Sequence, residues 1–233
     1  MSTLARIGTL RSVQVGAPRH YNGVVTGQEL AREGARPRAW DTSFVRVPSA
    51  QPRWLHTTHL EGNAQADTEN HGSPTQAVLL YAAAHYPLWQ AELGLPEIGP
   101  GGFAENFTVD GLSEETACIG DTYALGDARI QVTGPRYPCW KIERRWGIAG
   151  LTAQVAATGR TGWYCRVVAE GQIEPGLPIE LVERPYPRWT AALTNDLGHG
   201  RNADAALAHQ LAACPLLNPW WADLVVRKTQ GRA

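Results

Sequence analysis

Alternation of polar and apolar side chains recurs along the first 185 residues, with the spacing expected of strands that bury one face. Gly126 and Asp127 stand between two such runs and supply the residue types of a two-residue hairpin turn. Roughly seven or eight strands in one stretch of chain favour a barrel-like domain of mainly β structure. The segments with this pattern are 4–16, 42–48, 53–60, 121–135, 162–171 and 177–185.

Helical patterns interrupt the strands at two places. Residues 75–93 carry alanine and leucine on most turns and end before Gly94, so a helix that is kinked at Pro87 is predicted there. A second helix is predicted to end near Gly159. The segment from Thr26 to Trp40 is polar and rich in glycine and arginine, which predicts a loop excursion.

Beyond Pro187 the strand pattern stops, and three short helical runs follow. We therefore predict two parts, a barrel domain over residues 1–186 and a three-helix extension over residues 187–233. The extension is apolar, with Trp220 and Trp221 adjacent. It is suited to covering the barrel, to forming a homodimer contact or to recruiting a partner protein.

Composition places the chain among ordinary globular proteins. Its 233 residues are 43% hydrophobic, which is enough to bury one core. Lys plus Arg number 21 against 22 Asp plus Glu, so the net charge of −1 argues against nucleic acid or an anionic membrane as a partner. The four cysteines are widely spaced, which disfavours a zinc ribbon or a disulfide framework. With no apolar run of membrane-span length and no signal-peptide pattern, a cytoplasmic location is expected.

The candidate chemistry centres on Cys139, which lies in a stiff, basic segment. The thiolate is the reactive and metal-binding form of cysteine, and neighbouring cations favour it by lowering the pKa of the thiol. Pro135 and Pro138 restrict the backbone around the sulfur. The segment suits either a fixed thiolate beside a bound anion or a buried cysteine beside a solvated helix start. The neighbouring cations are Arg136, Lys141, Arg144 and Arg145.

Two upstream motifs offer further polar groups to a ligand. His71 precedes a Gly-Ser-Pro turn, where Ser73 or Thr75 is placed to cap a helix start beside an anion. Glu105 and Asn106 follow two glycines in a loop that enters a strand. No G-x-S-x-G, P-loop or H-E-x-x-H pattern occurs, so hydrolysis by a cysteine with a histidine base is left as an alternative without a motif of its own.

Five segments occur in a characteristic order along the chain. They are LEGNAQADTENHGSP, GFAENFTVDGL, IGDTYALGDARIQVTGPRYPCWK, GRTGWYCRV and ERPYPRW. In this order and spacing the chain resembles the YiiM-like branch of the MOSC-domain (molybdenum cofactor sulfurase C-terminal) family, from about residue 8 to the C-terminus. The most specific element of the resemblance is the P-R-x-P-C-[YW]-K segment around Cys139.

The resemblance implies a MOSC-type, PK β-barrel-like fold that binds a molybdenum cofactor (molybdopterin), with Cys139 supplying a thiolate to the molybdenum. It implies an oxidoreductase that reduces N-hydroxylated compounds, such as hydroxylaminopurine-type bases, to amines, which is a detoxification. Electrons would come from an external redox protein that carries flavin or an iron–sulfur cluster. The matching motifs assign cofactor binding to Arg136, Lys141, His71, Ser73, Glu105, Asn106, Arg144 and Arg145.

The resemblance also leaves two other classes of protein open. Because MOSC domains occur fused to cofactor sulfurases, Cys139 would carry a persulfide in a sulfur carrier, or a thiolate in a protein that delivers the cofactor. A binding scaffold without chemistry is a third class, since a fold does not fix a function.

Two positions depart from the family pattern. The family usually reads H-G-G-P where this chain has Ser73, and F-G-E-N where this chain has Ala104. Each change adds atoms where the backbone is expected to approach a cofactor closely. The segment from Thr26 to Arg38 is also longer than usual, which is expected to alter the rim of the pocket.

Overall fold

Strands form most of the regular secondary structure before residue 184 in the computed structural model, which describes residues 4–22, 39–66 and 72–230. Twelve strands lie in these described residues. They are β1 (Ala5–Val15), β2 (Arg19–Tyr21), β3 (Trp40–Thr42), β4 (Val47–Pro48), β5 (Arg53–Leu55), β6 (Val78–Ala82), β7 (Phe107–Asp110), β8 (Thr122–Leu125), β9 (Ala128–Pro135), β10 (Trp163–Ala169), β11 (Gly171–Ile173) and β12 (Pro178–Glu183).

Seven of these strands form a closed barrel. The order is β12-β8-β9-β10-β6-β7-β1, and β1 pairs back onto β12. Every neighbouring pair is antiparallel except β6 and β7. Closure pairs the strand edges, and fully buried side chains such as Leu10, Phe107 and Ile130 contribute to the main apolar cluster. The expected mainly β barrel is confirmed, as is the hairpin turn between β8 and β9.

The helix predicted over residues 75–93 is wrong in its first half. Its apolar start forms strand β6, which lies between β10 and β7 and has all five side chains buried. A continuous apolar run fits a strand that is buried on both faces as well as it fits a helix, so the pattern did not separate them. The helix begins only at His85, which places Pro87 in its first turn, where a missing N–H breaks no helical hydrogen bond.

The strands predicted over residues 42–48 and 53–60 are shorter than expected. The hydroxyl of Thr42 accepts a hydrogen bond from the backbone N–H of Phe44, and this local bond competes with ladder pairing and ends the strand. Pairing in these segments is confined to β3, β4 and β5. Of the excursion predicted from Thr26 to Trp40, residues 26–38 lie outside the described residues, and Trp40 is in strand β3, where it pairs with Tyr21.

Six α-helices lie in the described residues, and none of them combines the length and apolar character needed to cross a membrane. The helix predicted to end near Gly159 is confirmed, and so are the three runs beyond Pro187. The division into domains at residue 187 stays a prediction. The last three helices share one apolar cluster with the barrel. The helices are α1 (His85–Leu93), α2 (Lys141–Trp146), α3 (Leu151–Thr158), α4 (Ala191–Gly198), α5 (Ala205–Ala212) and α6 (Pro219–Thr229).

Trp221 of α6 joins the C-terminal helices to the barrel. Its side chain is buried, and its Nε1 donates to the carbonyl oxygen of Pro135, the last residue of β9, at 2.8 Å. Gly198, at the end of α4, lies so close that a Cβ atom there would overlap the indole ring. The indole of Trp221 in α6 is therefore held between α4 and the end of β9.

Replacing Gly198 with alanine should lower the free energy of unfolding by about 1–3 kcal/mol, because the added methyl group displaces the indole of Trp221. Chemical denaturation measures this cost. In the double variant Gly198→Ala/Trp221→Phe the smaller ring relieves the overlap, so the combined cost should be less than the sum of the single costs. Strictly additive costs would contradict the close packing of these two residues.

Candidate functional site

A cleft opens between the end of β9 and the loops that precede β4, β6 and β7. It encloses about 520 Å³, part of which is open to solvent. Three arginine or lysine residues line it, and the described lining residues include no carboxylate. The lining residues are Thr42, Ser43, Phe44, Arg46, Gln65, Gly72, Gln76, Leu79, Ala104, Asn106, Arg136, Cys139, Lys141 and Tyr164.

Cys139 lies in this cleft, just before α2, and is partly exposed, whereas the other three cysteines are free but buried. Arg136 is buried beside it and donates from Nη1 to the carbonyl oxygen of Phe103. Its Nη2 atom lies 4.0 Å from the Sγ of Cys139. The hydroxyl of Thr152 in α3 donates to the carbonyl oxygen of Cys139 at 3.2 Å. The sulfur is therefore held on an anchored loop with a fixed cation beside it.

Arg46 is a cleft residue that the sequence analysis missed. Its Nε and Nη1 atoms have no contact with solvent and no hydrogen-bond partner among the described residues. Burial, together with the positive charge of Arg136, lowers the pKa of the guanidinium to about 10, so Arg46 is still protonated at neutral pH. Buried charged groups without partners are rare in folded proteins. An acceptor bound in the cleft would satisfy this one.

Asn106 presents a second donor without an acceptor. Its side chain is buried, and its Oδ1 accepts from the backbone N–H of Leu79 at 3.1 Å. This bond fixes which way the amide is turned, and the Nδ2 atom has no partner among the described residues. The structure thus brings Asn106 into the cleft, as the sequence analysis expected.

Tyr164 is another cleft residue that the sequence analysis missed. Its neighbours in β10, Trp163 and Cys165, are fully buried in the main apolar cluster, so strand alternation turns Tyr164 the other way, towards the cleft. Burial raises the pKa of its hydroxyl, while the charge of Arg136 acts against that shift. The hydroxyl therefore keeps its proton at neutral pH. The alternation in this strand was the available signal.

Glu105 does not line the cleft, although the sequence analysis placed it with the cofactor-binding residues. Its fully buried carboxylate accepts from the backbone N–H groups of Gly101 and Phe103 and from the hydroxyls of Thr108 and Tyr86. These bonds use the carboxylate within the protein. Glu105 therefore organises the loop that carries its neighbours into the cleft.

Two more motif positions, His71 and Ser73, were predicted to bind the cofactor. His71 lies outside the described residues. Ser73 is exposed and does not line the cleft; its Oγ accepts from the backbone N–H of Thr75 and caps the 3-10 turn Pro74–Gln76. With a φ of −63°, Ser73 occupies backbone that any residue adopts, so the serine adds no strain. Gly72, by contrast, lines the cleft with a φ of +84°.

Of the three predicted cations in α2, only one lines the cleft. Lys141, the first residue of the helix, does so. Arg144 lies 5.0 Å from the ring centre of Trp40, and Arg145 lies 4.4 Å from that of Trp146. Such distances allow cation–π attraction. The structure therefore does not bring Arg144 and Arg145 together with the cleft residues.

The MOSC domain family model matches residues 67–180. The uncharacterized protein YflK of Bacillus subtilis is 36% identical over 189 residues, which cover 81% of this chain and 85% of that protein. The chain belongs to the MOSC-domain family. Another relative, a protein of Gibberella moniliformis named reductase, is 35% identical over 169 residues, which cover 71% of this chain and 30% of that protein.

A solved structure extends the likeness to the whole MOSC fold. The crystal structure of YiiM from Geobacillus stearothermophilus has a TM-score of 0.75 and 29% sequence identity, and the match covers 95% of this chain and 99% of that one. The seven-stranded barrel and the C-terminal helices thus belong to one shared architecture. The family predicted from the motifs is confirmed.

Ala104 stands where the family usually has glycine, and its backbone adopts a conformation that favours glycine. It has a φ of +60° and is the one residue other than glycine with positive φ among those described. Replacing it with glycine should raise the free energy of unfolding by about 1 kcal/mol, because the left-handed conformation strains an alanine. Chemical denaturation measures the change. The matched change Ala83→Gly, at a buried residue with ordinary backbone, should lower stability. Equal losses at both positions would contradict the strain at Ala104.

Proposed function

We propose that the cleft binds a molybdenum cofactor and that the protein is a molybdenum-dependent reductase of N-hydroxylated compounds. The observation that carries the proposal is the pair of buried donors without acceptors, on Arg46 and Asn106, in the same cleft as the partly exposed thiol of Cys139. Membership of the MOSC family and likeness to a protein named reductase support a redox role.

The charges of the cleft fit an anionic group. Arg46, Arg136 and Lys141 line it without any carboxylate among the described lining residues, although the whole chain has a net charge of −1. Guanidinium groups bind phosphate oxygens through short, charge-assisted hydrogen bonds. Phosphate is the part of the cofactor that these cations would hold, with the amide of Asn106 as an additional donor.

The thiol of Cys139 fits the metal. Thiolates are soft ligands that suit transition metals, and Cys139 is the one cysteine of the chain that is not buried. When bound, the cofactor supplies two-electron redox chemistry at molybdenum. Cys139 would hold the metal, and the Nη2 of Arg136 would lie beside the sulfur as a donor. Tyr164, which keeps its proton at neutral pH, offers a further donor to groups in the cleft.

The reaction also requires an electron source. Reduction of an N-hydroxy group to an amine consumes two electrons and two protons and releases water. The sequence contains no nucleotide-binding glycine fingerprint. We therefore propose that electrons come from a separate redox protein that carries flavin or an iron–sulfur cluster.

Replacing Cys139 with serine should reduce the rate of hydroxylamine reduction by a reduced dye by more than about 100-fold, because the metal loses its protein thiolate. The fold should persist, which a thermal melt checks. Cys118→Ser is the matched control, since the buried Cys118 lies outside the cleft and should leave activity in place. Full activity of Cys139→Ser would refute the proposal, and sulfur released by cyanide from a protein without molybdenum would favour a sulfur carrier.

Replacing Arg46 with methionine should speed cofactor loss by about 10- to 100-fold, because a charge-assisted bond disappears. The apoprotein should be equally or more stable, since an unpaired buried cation is replaced by an apolar side chain. Molybdenum content after gel filtration and melting of the apoprotein measure the two effects. Arg160→Met is the control, because Arg160 also has an unpaired buried Nη1 but lies outside the cleft. Equal retention in both variants would contradict a phosphate contact at Arg46.

A further inference from the structure

A hydrogen bond joins α6 to the segment 72–76, which forms the rim of the cleft and contains the 3-10 turn Pro74–Gln76. Asn218 is the buried N-cap of α6, and its Oδ1 accepts from the backbone N–H of Trp220 at 2.9 Å. The amide nitrogen is thereby turned towards Thr75, and Nδ2 donates to the Thr75 hydroxyl at 2.7 Å. Turning the amide over would place the Nδ2 donor against the Trp220 N–H donor, so the orientation of the amide is fixed.

Thr75 makes further hydrogen bonds within the rim and to β9. Its hydroxyl lies 2.7 Å from the Oγ of Ser73, the cap of the 3-10 turn. Its carbonyl oxygen accepts from the hydroxyl of Thr133 in β9 at 2.6 Å. Gly72 and Gln76, on either side of this short network, both line the cleft. The position of the rim therefore depends on what holds Thr75.

The same helix start also contacts the end of β9, which leads into the wall of the cleft that contains Arg136. The backbone N–H of Asn218 donates to the carbonyl oxygen of Thr133 at 2.8 Å, and Trp221 donates to that of Pro135. Pro135 precedes Arg136, the cation beside the sulfur. Asn218 thus stands where the rim and the end of β9 meet.

We infer that Asn218 is a positioning residue, which fixes the rim relative to the Arg136 wall and thereby sets how tightly the cleft holds its anionic ligand. Helix capping alone does not account for the arrangement. Asp204 caps α5 through a similar bond, to Leu207, yet among the described residues it makes no hydrogen bond to the rim segment 72–76 or to β9. The inference rests on the proposed function, because the anionic ligand is taken to be the molybdenum cofactor.

Asn218→Ser separates the two roles of this side chain. Serine still offers an oxygen to cap α6, but it is shorter and has no amide to donate to Thr75. We expect molybdenum to leave the holoprotein about 3- to 10-fold faster than from the wild type, with little change in melting temperature. The control Asp204→Ala loses a cap, so it should melt earlier and keep the wild-type rate of molybdenum loss.

Thr75→Val tests the same bond from its other end. It should also speed molybdenum loss, and the double variant Asn218→Ser/Thr75→Val should be no worse than the more affected single variant, because both remove one interaction. Additive effects, or a wild-type rate of loss in Asn218→Ser, would overturn the inference. So would a rate that simply follows the melting temperature.

Titration with inorganic phosphate separates failure of the inference from failure of the proposed function. If the wild type carries no molybdenum but binds phosphate, the proposed function fails, and weaker phosphate binding by Asn218→Ser still supports the positioning role. Equal phosphate binding by the two proteins overturns that role. A wild type that binds neither molybdenum nor phosphate overturns both.

Discussion

The buried guanidinium of Arg46, which has two nitrogen atoms without an acceptor, is the constraint on which the rest of the cleft depends. A cation in such a position is costly unless an anion or a lone-pair acceptor reaches it. The amide of Asn106 has the same requirement, and Arg136 and Lys141 add two more positive charges to the cleft. With the thiol of Cys139 beside them, these groups describe a site for a ligand that is both anionic and able to bind sulfur.

Other parts of the fold hold these donors in place. The carboxylate of Glu105 accepts four hydrogen bonds and fixes the loop on which Asn106 lies, with Ala104 held in left-handed backbone. The start of α6 ties the rim segment 72–76 to the end of β9. Strain and buried polar groups gather around the cleft, as is common where a protein is organised for binding.

The sequence predicted the barrel, and it grouped Cys139 with Arg136 as candidate residues, for physical reasons that can be named. The strands were predicted because side chains alternate between the two faces of a strand, and the hairpin turn was predicted because Gly126 and Asp127 are turn-forming residue types. Strand β6 was mistaken for a helix because a fully buried run shows no period of its own. Cys139 and Arg136 were found because proline and neighbouring charge mark them locally.

The remaining site residues depend on tertiary contacts that local patterns do not contain. Arg46 alternates with valines in a way typical of a solvent-facing strand position, yet it packs into the cleft. Glu105 reads as a ligand group, but the fold uses its oxygens internally. Arg144 and Arg145 read as phosphate contacts, whereas their guanidinium groups lie over tryptophan rings. A charged residue in a sequence indicates that its side chain needs an interaction partner, but it does not indicate whether the fold or a ligand supplies that partner.

The central claim is that the unpaired donors and the thiol of the cleft exist to hold a molybdenum cofactor. Elemental analysis of the wild-type protein, produced in cells that make the cofactor, tests it most directly. We predict that the protein contains molybdenum and phosphorus together, in amounts close to stoichiometric with the chain. Protein that is folded but contains neither element would contradict it.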